Sequence, residues 1–229
     1  MLAMLQCLVE RESPSDNKEA VDRLGEVLAQ EFERLGAKIT MHPQSKYGDH
    51  LQAEFPGRKS GKPILLLGHF DTVWPLGTLD AMPYRIVNAT GRVHGPGVLD
   101  MKSAIIMMMF ALQALKEAGA EHRPVTVFLD TDEEVGSESS RPITETIARQ
   151  CEAVLVLEPA QGLQGLLKTA RKGVGMYTVR AQGLAAHAGV DFEKGHNAVV
   201  ELSHQIQLGS GRKIEHVLKL GHVTHGNAV

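Results

Sequence analysis

The chain has 229 residues, 43% hydrophobic and 22% charged, which is enough to bury one full core and a smaller second one. Its formal net charge of -3 leaves no basic excess to neutralise phosphates, so nucleic acid is excluded as an expected partner. Its apolar runs are shorter than the ~20 residues that a bilayer requires, or polar residues interrupt them, so no membrane-spanning helix or membrane partner is expected.

The two cysteines, Cys7 and Cys151, lie far apart and without CxxC spacing. Neither a disulfide framework nor a thiolate zinc site is therefore expected, and any metal would be bound by His, Asp and Glu. The N-terminal residues lack a basic region and a small-residue cleavage site, which favours a cytoplasmic location. A missing N-terminal extension would leave a periplasmic or secreted location open.

Hydrophobic spacing predicts alternating helices and strands along the first part of the chain. Two helices open it, and the second ends at Gly36 as a C-cap. The predicted elements are, in chain order, helices at 1–9 and 20–35, strands at 38–41, 50–55 and 63–67, a helix at 101–118, a strand at 125–129, a helix at 143–149 and a strand at 153–157. This alternation predicts an α/β sheet covered by helices on both faces.

After residue 165 the pattern changes to alternation punctuated by glycines. It predicts a strand at 173–180, a helix at 197–208 and a strand at 215–224. A smaller α+β domain over 166–229 is therefore expected beside a first domain over 1–165. It is expected to be incomplete, because so few elements bury little apolar area.

The apolar strand at 63–67 runs directly into Gly68, His69, Phe70 and Asp71. In extended chain, residues two apart project to the same side, so Asp71 is expected to hold the imidazole of His69, as carboxylates do behind zinc-bound histidines. An isolated pair of this kind would be interpreted as a strand cap with a local ion pair.

Three further segments place acids where strands or turns end. Asp100 follows a Gly-rich turn at the start of the predicted helix, where it is either an N-cap or a carboxylate able to bridge two metals. Four acids follow the strand at 125–129, namely Asp130, Asp132, Glu133 and Glu134, and a cation would relieve their repulsion. Of the adjacent Glu133 and Glu134, one is expected to accept a proton from water and the other to bind metal.

The strand at 153–157 ends at a further acid, Glu158. Four strands or turns thus end next to a His, Asp or Glu, and none ends next to a cysteine. Together they predict a site for a borderline-hard cation such as zinc. A solvated acidic loop would explain any one junction, but it explains the four together poorly.

The motifs GHFDTV at 68–73, GPGVLDMK at 95–102, EEVGS at 133–137 and EP at 158–159 resemble the successive signatures of the co-catalytic di-zinc aminoacylase/carboxypeptidase family. Three further motifs, WPLGT at 74–78, RKGVG at 171–175 and AAHAG at 185–189, are most similar to the glutamate carboxypeptidases of the folate-cleaving carboxypeptidase G type. The resemblance implies an α/β zinc-exopeptidase-like fold, a mixed sheet flanked by helices, with the start of a ferredoxin-like lid and dimerisation domain.

The resemblance also implies a role for each candidate residue. His69 and Glu158 would bind one Zn2+, Glu134 the other, and Asp100 would bridge the two. Asp71 would support His69, and Glu133 would be the general base. His187 would stabilise the developing oxyanion, often across a homodimer formed through the lid domain. Cobalt and manganese remain alternatives to zinc.

The family's last zinc-binding histidine and its substrate-binding arginine lie beyond the lid and have no counterpart before Val229. His222 and His225 are expected to be solvated or to face a partner rather than to replace them. We therefore expect this chain alone to bind one metal at best and to have little peptidase activity, and its sheet to be marginally stable or to associate.

Three functions remain open from the sequence. The first is release of a C-terminal amino acid, glutamate above all, from a peptide or N-acyl amino acid. The second is deacylation of N-acyl amino acids such as acetylornithine or succinyl-diaminopimelate. The third is an inactive, truncated metal-binding fragment.

Overall fold

The computed structural model describes residues 1–171, 173, 178–187 and 189–210. It divides the chain into two compact units, Met1–Lys168 and Thr169–Val229. The assignment of a catalytic role to the first domain and a lid role to the second stays a prediction.

The first unit contains every helix and strand predicted for it. Its elements are α1 (Leu2–Val9), α2 (Lys18–Leu35), β1 (Lys38–His42), β2 (His50–Phe55), β3 (Ile64–His69), α3 (Thr78–Ala81), β4 (Arg85–Val87), β5 (Arg92–His94), α4 (Ser103–Glu117), β6 (Val125–Asp130), α5 (Arg141–Gln150) and β7 (Ala153–Val156). A kinked turn, Val98–Lys102, precedes α4, and a short 3-10 turn, Glu133–Val135, follows β6. The helix α3 and the β4–β5 hairpin were not predicted, because both are very short.

Local sequence explains both ends of α2. The side chain of Asn17 accepts a hydrogen bond of 3.0 Å from the amide of Ala20, which satisfies an otherwise free donor in the first turn. Gly36 adopts the left-handed conformation at φ 101°, which confirms it as the C-cap. Between these caps, one face of α2 is buried against the sheet.

The main sheet has the strand order β1-β2-β6-β3-β7. The strands β1, β2 and β6 are antiparallel neighbours, whereas β3 pairs in parallel with both β6 and β7. The sheet is therefore mixed, which confirms the predicted fold class. The register places His69 opposite Asp130, so the last residues of β3 and β6 lie side by side where the two parallel strands end.

The core lies where α1, α2 and α4 pack with the central strands. Every residue of β6 is buried, whereas every residue of β7 is exposed and α5 contributes no buried residue. The prediction that helices cover both faces of the sheet does not hold at β7. Among the described residues this strand pairs only with β3, so it is an edge strand with apolar side chains in solvent.

One segment, Val98–Glu117, is long and apolar enough to cross a membrane by length and composition, with a mean hydropathy of 1.6. Half of it is buried within the structure, and its helical part, α4, packs against α2 and β3. Its backbone is not helical at Asp100 and Met101. These features are those of a core helix of a globular domain.

In the second unit, the structure describes the helix α6 (Ala198–Ser210), which confirms the helix predicted at 197–208. The side chain of Asn197 caps its start by accepting hydrogen bonds from the amides of Val199 and Val200. Of the strand predicted at 173–180, only 173 and 178–180 are described, and they form no strand. The strand predicted at 215–224 lies outside the described residues.

Candidate metal centre

His69 is the last residue of β3 and is 1% exposed. Its Nδ1 atom lies 3.2 Å from Asp71 Oδ1 and 3.1 Å from the main-chain oxygen of Asp71. The structure thus brings the two side chains into contact, as their spacing predicts. With Nδ1 occupied in this way, Nε2 is the nitrogen left to bind a metal.

A glycine before the histidine allows a close approach by the turn that carries Asp100. The amide of His69 donates to Met101 Sδ at 3.2 Å, and a Cβ atom on Gly68 would lie 2.6 Å from Met101 Cε. Any larger residue at Gly68 would displace the end of the Met101 side chain. The first two motifs therefore pack directly against each other at this point.

Four carboxylates gather around Nε2 of His69. The Nε2 atom lies 3.1 Å from Asp100 Oδ1, 3.5 Å from Glu158 Oε1 and 3.9 Å from Glu133 Oε2. Ligand atoms lie within 4.8 Å of one another in two groups, His69 with Asp100 and Glu134, and His69 with Glu133 and Glu158. Residues from four separate segments of the sequence therefore meet at one edge of the sheet.

The electrostatics of this cluster suit a bound cation. Burial and the neighbouring carboxylates of Asp100 and Glu133 raise the pKa of Glu134 to about 7. Burial would lower the pKa of His69, but its hydrogen bonds to Asp71 and Glu158 raise it to about 12. One imidazole and several carboxylates form a nitrogen and oxygen donor set that fits zinc, which would displace the proton of His69.

Two of the four acids predicted after the strand at 125–129, Asp130 and Asp132, do not join the cluster. Asp132 Oδ2 accepts hydrogen bonds from the amide and hydroxyl of Ser139, at 2.6 and 2.8 Å, just before α5 begins. Asp130 is buried beside the ligands, and burial with the nearby charge of Asp71 raises its pKa to about 8. Because Asp130 ends β6 whereas Glu133 and Glu134 lie in the following 3-10 turn, the crowding expected from the sequence is only partial.

Asp130 is expected to make the metal-free protein less stable as the pH rises. The pKa of Asp130 in the folded state, about 8, exceeds its ordinary value of 3.8, so the folded state binds this proton more tightly. The stability that the proton contributes is fully present below about pH 4 and is lost as the pH rises through about 8. Between about pH 5 and about pH 9, the free energy of unfolding should therefore fall less in Asp130→Asn than in wild type. The difference should be at least ~1 kcal/mol.

Urea unfolding of the chelator-treated protein at the two pH values measures this effect, and Asp132→Asn is the matched control. Hydrogen bonds from Ser139 and Ser140 outweigh the effect of burial and lower the pKa of Asp132, so its replacement should be destabilising at both pH values. An unchanged pH dependence in Asp130→Asn would contradict the prediction.

Several residues at the centre were not found by sequence reasoning. Ser15 donates to Asp71, and His50 contacts Thr131 and Ser139. Lys102, the last residue of the turn that carries Asp100, is buried. Lone serines, histidines and lysines have no spacing that distinguishes them from surface residues, so only the tertiary contacts reveal them.

The remaining predicted site residue, His187, belongs to the second unit. Its side chain is exposed, and Nδ1 accepts a hydrogen bond of 3.2 Å from the amide of Gly189. Its role in stabilising an oxyanion stays a prediction. His222 and His225 lie outside the described residues.

A cavity of about 250 Å³ opens beside Glu134. Its lining mixes apolar and polar side chains, namely Pro14, Ser15, Asp16, Thr72, Val73, Pro75, Glu134 and Val135. The described lining contains no cationic side chain. The two acidic side chains in this lining, Asp16 and Glu134, disfavour a carboxylate there.

A mixed α/β sheet that presents an imidazole and several carboxylates at its strand ends defines the class as an α/β protein with a candidate metal centre. Residues 65–217 match the model of the peptidase family M20/M25/M40. The chain belongs to this family.

Curated relatives include carboxypeptidase G2 of Pseudomonas sp. (strain RS-16), which is 32% identical over 89% of this chain and 49% of the relative. Acetylornithine deacetylase of Proteus mirabilis is 29% identical over 78% of this chain and 45% of the relative. The chain thus spans about half the length of these curated relatives.

Solved structures show the same fold. A tripeptidase from Staphylococcus aureus superposes with a TM-score of 0.68 at 16% identity, covering 90% of this chain and 55% of the other. The metallo-carboxypeptidase Sso-CP2 from Sulfolobus solfataricus superposes with a TM-score of 0.62 at 19% identity, covering 80% and 39%.

Proposed function

We propose that this chain carries the zinc-binding and proton-transfer residues of an exopeptidase that releases a C-terminal amino acid from a peptide or N-acyl amino acid. The observation that carries the proposal is the position of His69, with Nδ1 against Asp71 and Nε2 facing Asp100, Glu133 and Glu158. Glutamate is the amino acid proposed, since the motifs resemble those of glutamate carboxypeptidases. The similarity to carboxypeptidase G2 supports this choice.

Each residue then has a defined task. A zinc ion bound here would lower the pKa of a water molecule and polarise the scissile carbonyl. Asp71 orients His69, while Asp100, Glu134 and Glu158 supply negatively charged oxygen ligands. Glu133 accepts the proton of the attacking water and passes it to the leaving nitrogen. Burial, together with the charges of Glu158, Asp71 and Asp100, raises the pKa of Glu133 and thus favours its proton-accepting role at neutral pH.

Further parts of the proposal concern the complete enzyme. We propose that a complete site holds two zinc ions and that this chain holds one, with cobalt or manganese as alternatives to zinc. The proposal also includes a homodimer formed through the second domain, in which His187 stabilises the oxyanion. The cytoplasmic location predicted from the sequence stays a prediction.

A second candidate function is deacylation of an N-acyl amino acid. The acetylornithine deacetylase of Proteus mirabilis and a succinyl-diaminopimelate desuccinylase of Xylella fastidiosa are 29% and 30% identical to the chain, close to the 32% of carboxypeptidase G2. Sequence identities this similar do not distinguish a carboxypeptidase from a deacylase, so the amide substrates must be compared directly.

The proposal is tested by zinc content and by amide hydrolysis. Zinc per chain is measured by elemental mass spectrometry after loading and desalting. N-acyl glutamates, N-acetylornithine and N-succinyl-diaminopimelate are then offered to the zinc-loaded chain and, where the reading frame continues beyond Val229, to its longer product. We expect zinc to be retained and glutamate to be released by the longer product, with little turnover by the chain alone.

Glu133→Gln is the matched variant, because it removes the proton-accepting oxygen and changes little else. It should retain zinc and lower kcat of the active form by ~100- to 10,000-fold. Faster release of ornithine or diaminopimelate would favour the deacylase. Absence of zinc binding, or full activity in Glu133→Gln, would refute the proposed mechanism.

A further inference from the structure

The hydroxyl of Ser15 reaches the carboxylate behind the metal centre from a distant part of the sequence. Ser15 Oγ donates a hydrogen bond of 2.6 Å to Asp71 Oδ2, and the two residues are only 5% and 0% exposed. Short hydrogen bonds to a carboxylate belong to the stronger class. We propose that Ser15 is a positioning residue, which holds Asp71 so that its carboxylate fixes the imidazole ring of His69 with Nε2 turned toward the metal.

The main chain fixes Ser15 in this place. The amide of Ser15 donates to the carbonyl oxygen of Thr72 at 3.2 Å, and the amide of Thr72 donates to the carbonyl oxygen of Ser13 at 2.8 Å. Pro14 and Thr72 also form an isolated parallel bridge. The segment before α2 thus pairs alongside the segment that follows β3, which brings the hydroxyl of Ser15 to Asp71 without the help of a flexible side chain.

The two oxygens of Asp71 have different partners. Oδ1 lies 3.2 Å from His69 Nδ1, whereas Oδ2 accepts from Ser15 Oγ at 2.6 Å and from the amide of Glu134 at 3.3 Å. Oδ2 therefore anchors the carboxylate, while Oδ1 is turned toward the imidazole, whose Nδ1 atom also hydrogen-bonds the main-chain oxygen of Asp71 at 3.1 Å. Among the described residues, only the longer bond from the amide of Glu134 would remain on Oδ2 without the hydroxyl of Ser15.

The size of the effect follows from the distance to the metal. Loss of a partner that hydrogen-bonds directly to a metal ligand weakens metal binding by about 10- to 100-fold. Ser15 acts one hydrogen bond further away, through Asp71, so the lower end of that range is expected. The inference rests on the proposed function, since the group positioned is the metal ligand His69.

Ser13 provides a matched control in the same short segment. It is 0% exposed, and its Oγ atom donates a hydrogen bond of 2.7 Å to the carbonyl oxygen of Phe70 rather than to Asp71. Ser13→Ala and Ser15→Ala each delete one buried hydroxyl and its short hydrogen bond, and Ser15→Ala also removes a longer one of 3.4 Å to the carbonyl oxygen of Thr72. Only Ser15→Ala removes a contact to the carboxylate, and Ser15→Thr keeps a hydroxyl at that position.

The experiment measures zinc affinity by competition with a chromophoric chelator, with the fold of each variant checked by circular dichroism. Ser15→Ala should weaken zinc binding by ~10-fold, whereas Ser13→Ala and Ser15→Thr should stay within ~3-fold of wild type. Equal weakening in Ser13→Ala and Ser15→Ala, or wild-type affinity in Ser15→Ala, would overturn the proposal. If Ser15→Ala does not fold, Ser15→Cys takes its place, because a thiol of similar size is only a weak donor.

A second readout does not depend on zinc. In the metal-free chain, the hydrogen-bonded Nδ1 proton of His69 is followed by NMR, and its exchange with water should be at least ~10-fold faster in Ser15→Ala than in Ser13→Ala. Equal exchange in these variants would refute the role of Ser15 even if the wild-type chain binds no zinc. Absence of zinc binding in wild type would refute the proposed function alone.

Discussion

Replacement of Asp100 by alanine is expected to abolish zinc retention by the desalted chain, with affinity reduced by at least ~100-fold. Asp100 Oδ1 lies 3.1 Å from Nε2 of His69, so this carboxylate faces the nitrogen left free by Asp71. Loss of a residue that only hydrogen-bonds to a metal ligand already lowers metal affinity by about 10- to 100-fold. Loss of a direct ligand should lower the affinity further. The measurement is zinc per chain by elemental mass spectrometry.

Stability provides the control for this experiment. The side chain of Asp100 is 53% exposed, so its removal leaves no buried cavity and should barely alter the unfolding of the zinc-free protein. Zinc at about 100 times its dissociation constant should stabilise wild type by ~2.7 kcal/mol and Asp100→Ala hardly at all. The exposed Asp80 is the control position, and Asp80→Ala should bind zinc normally. Zinc retained by Asp100→Ala at the wild-type ratio would contradict the site.

Replacement of Lys102 by alanine is expected to destabilise the fold by about 3 kcal/mol at about pH 9, more than a hundredfold in the unfolding equilibrium. Lys102 is 1% exposed, and its Nζ atom donates to the carbonyl oxygens of Leu8 at 3.1 Å and Arg11 at 2.9 Å. The substitution removes both hydrogen bonds and leaves a cavity in place of the aliphatic stem. Urea unfolding of the zinc-free chain measures the change.

The destabilisation should depend on pH with a defined sign. Burial lowers the pKa of Lys102 from 10.5 to about 7, so its contribution to stability is full above about pH 10.5 and falls as the pH decreases toward 7. Lys102→Ala should therefore cost more at about pH 9 than at about pH 7. An equal cost at the two values would contradict the buried, neutral state of the amine.

Lys116 is the matched control, because its Nζ atom also donates to a carbonyl oxygen at a helix end, that of Leu35 at 2.8 Å. This lysine is exposed, so Lys116→Ala should cost less than about 1 kcal/mol. A similar cost for the two substitutions would show that the capping contact, rather than burial, determines the effect.

Hydrophobic spacing was sufficient to predict the long elements of the first unit. The pattern of α2 and its C-cap at Gly36 are local, so both could be located without knowledge of the fold. The short hairpin β4–β5 and the helix α3 have too few residues to show a period, and they were missed. The exposure of β7 was also missed, because an apolar run does not reveal whether a neighbouring strand or helix covers it.

The sequence by itself determined which residue types end the strands, since an apolar run followed by His69, Asp130 or Glu158 is visible in the order of the residues. It also predicted that Asp71 would contact His69, because the two are separated by one residue in extended chain.

Only the tertiary structure decided which acids converge and what holds them there. Glu133 faces the imidazole of His69, whereas Asp132 turns away to Ser139, although the two acids are adjacent in the sequence. The hydrogen bond from Ser15 to Asp71 likewise joins residues 56 positions apart. Such contacts depend on strand register and packing between distant segments, and local spacing carries no information about either.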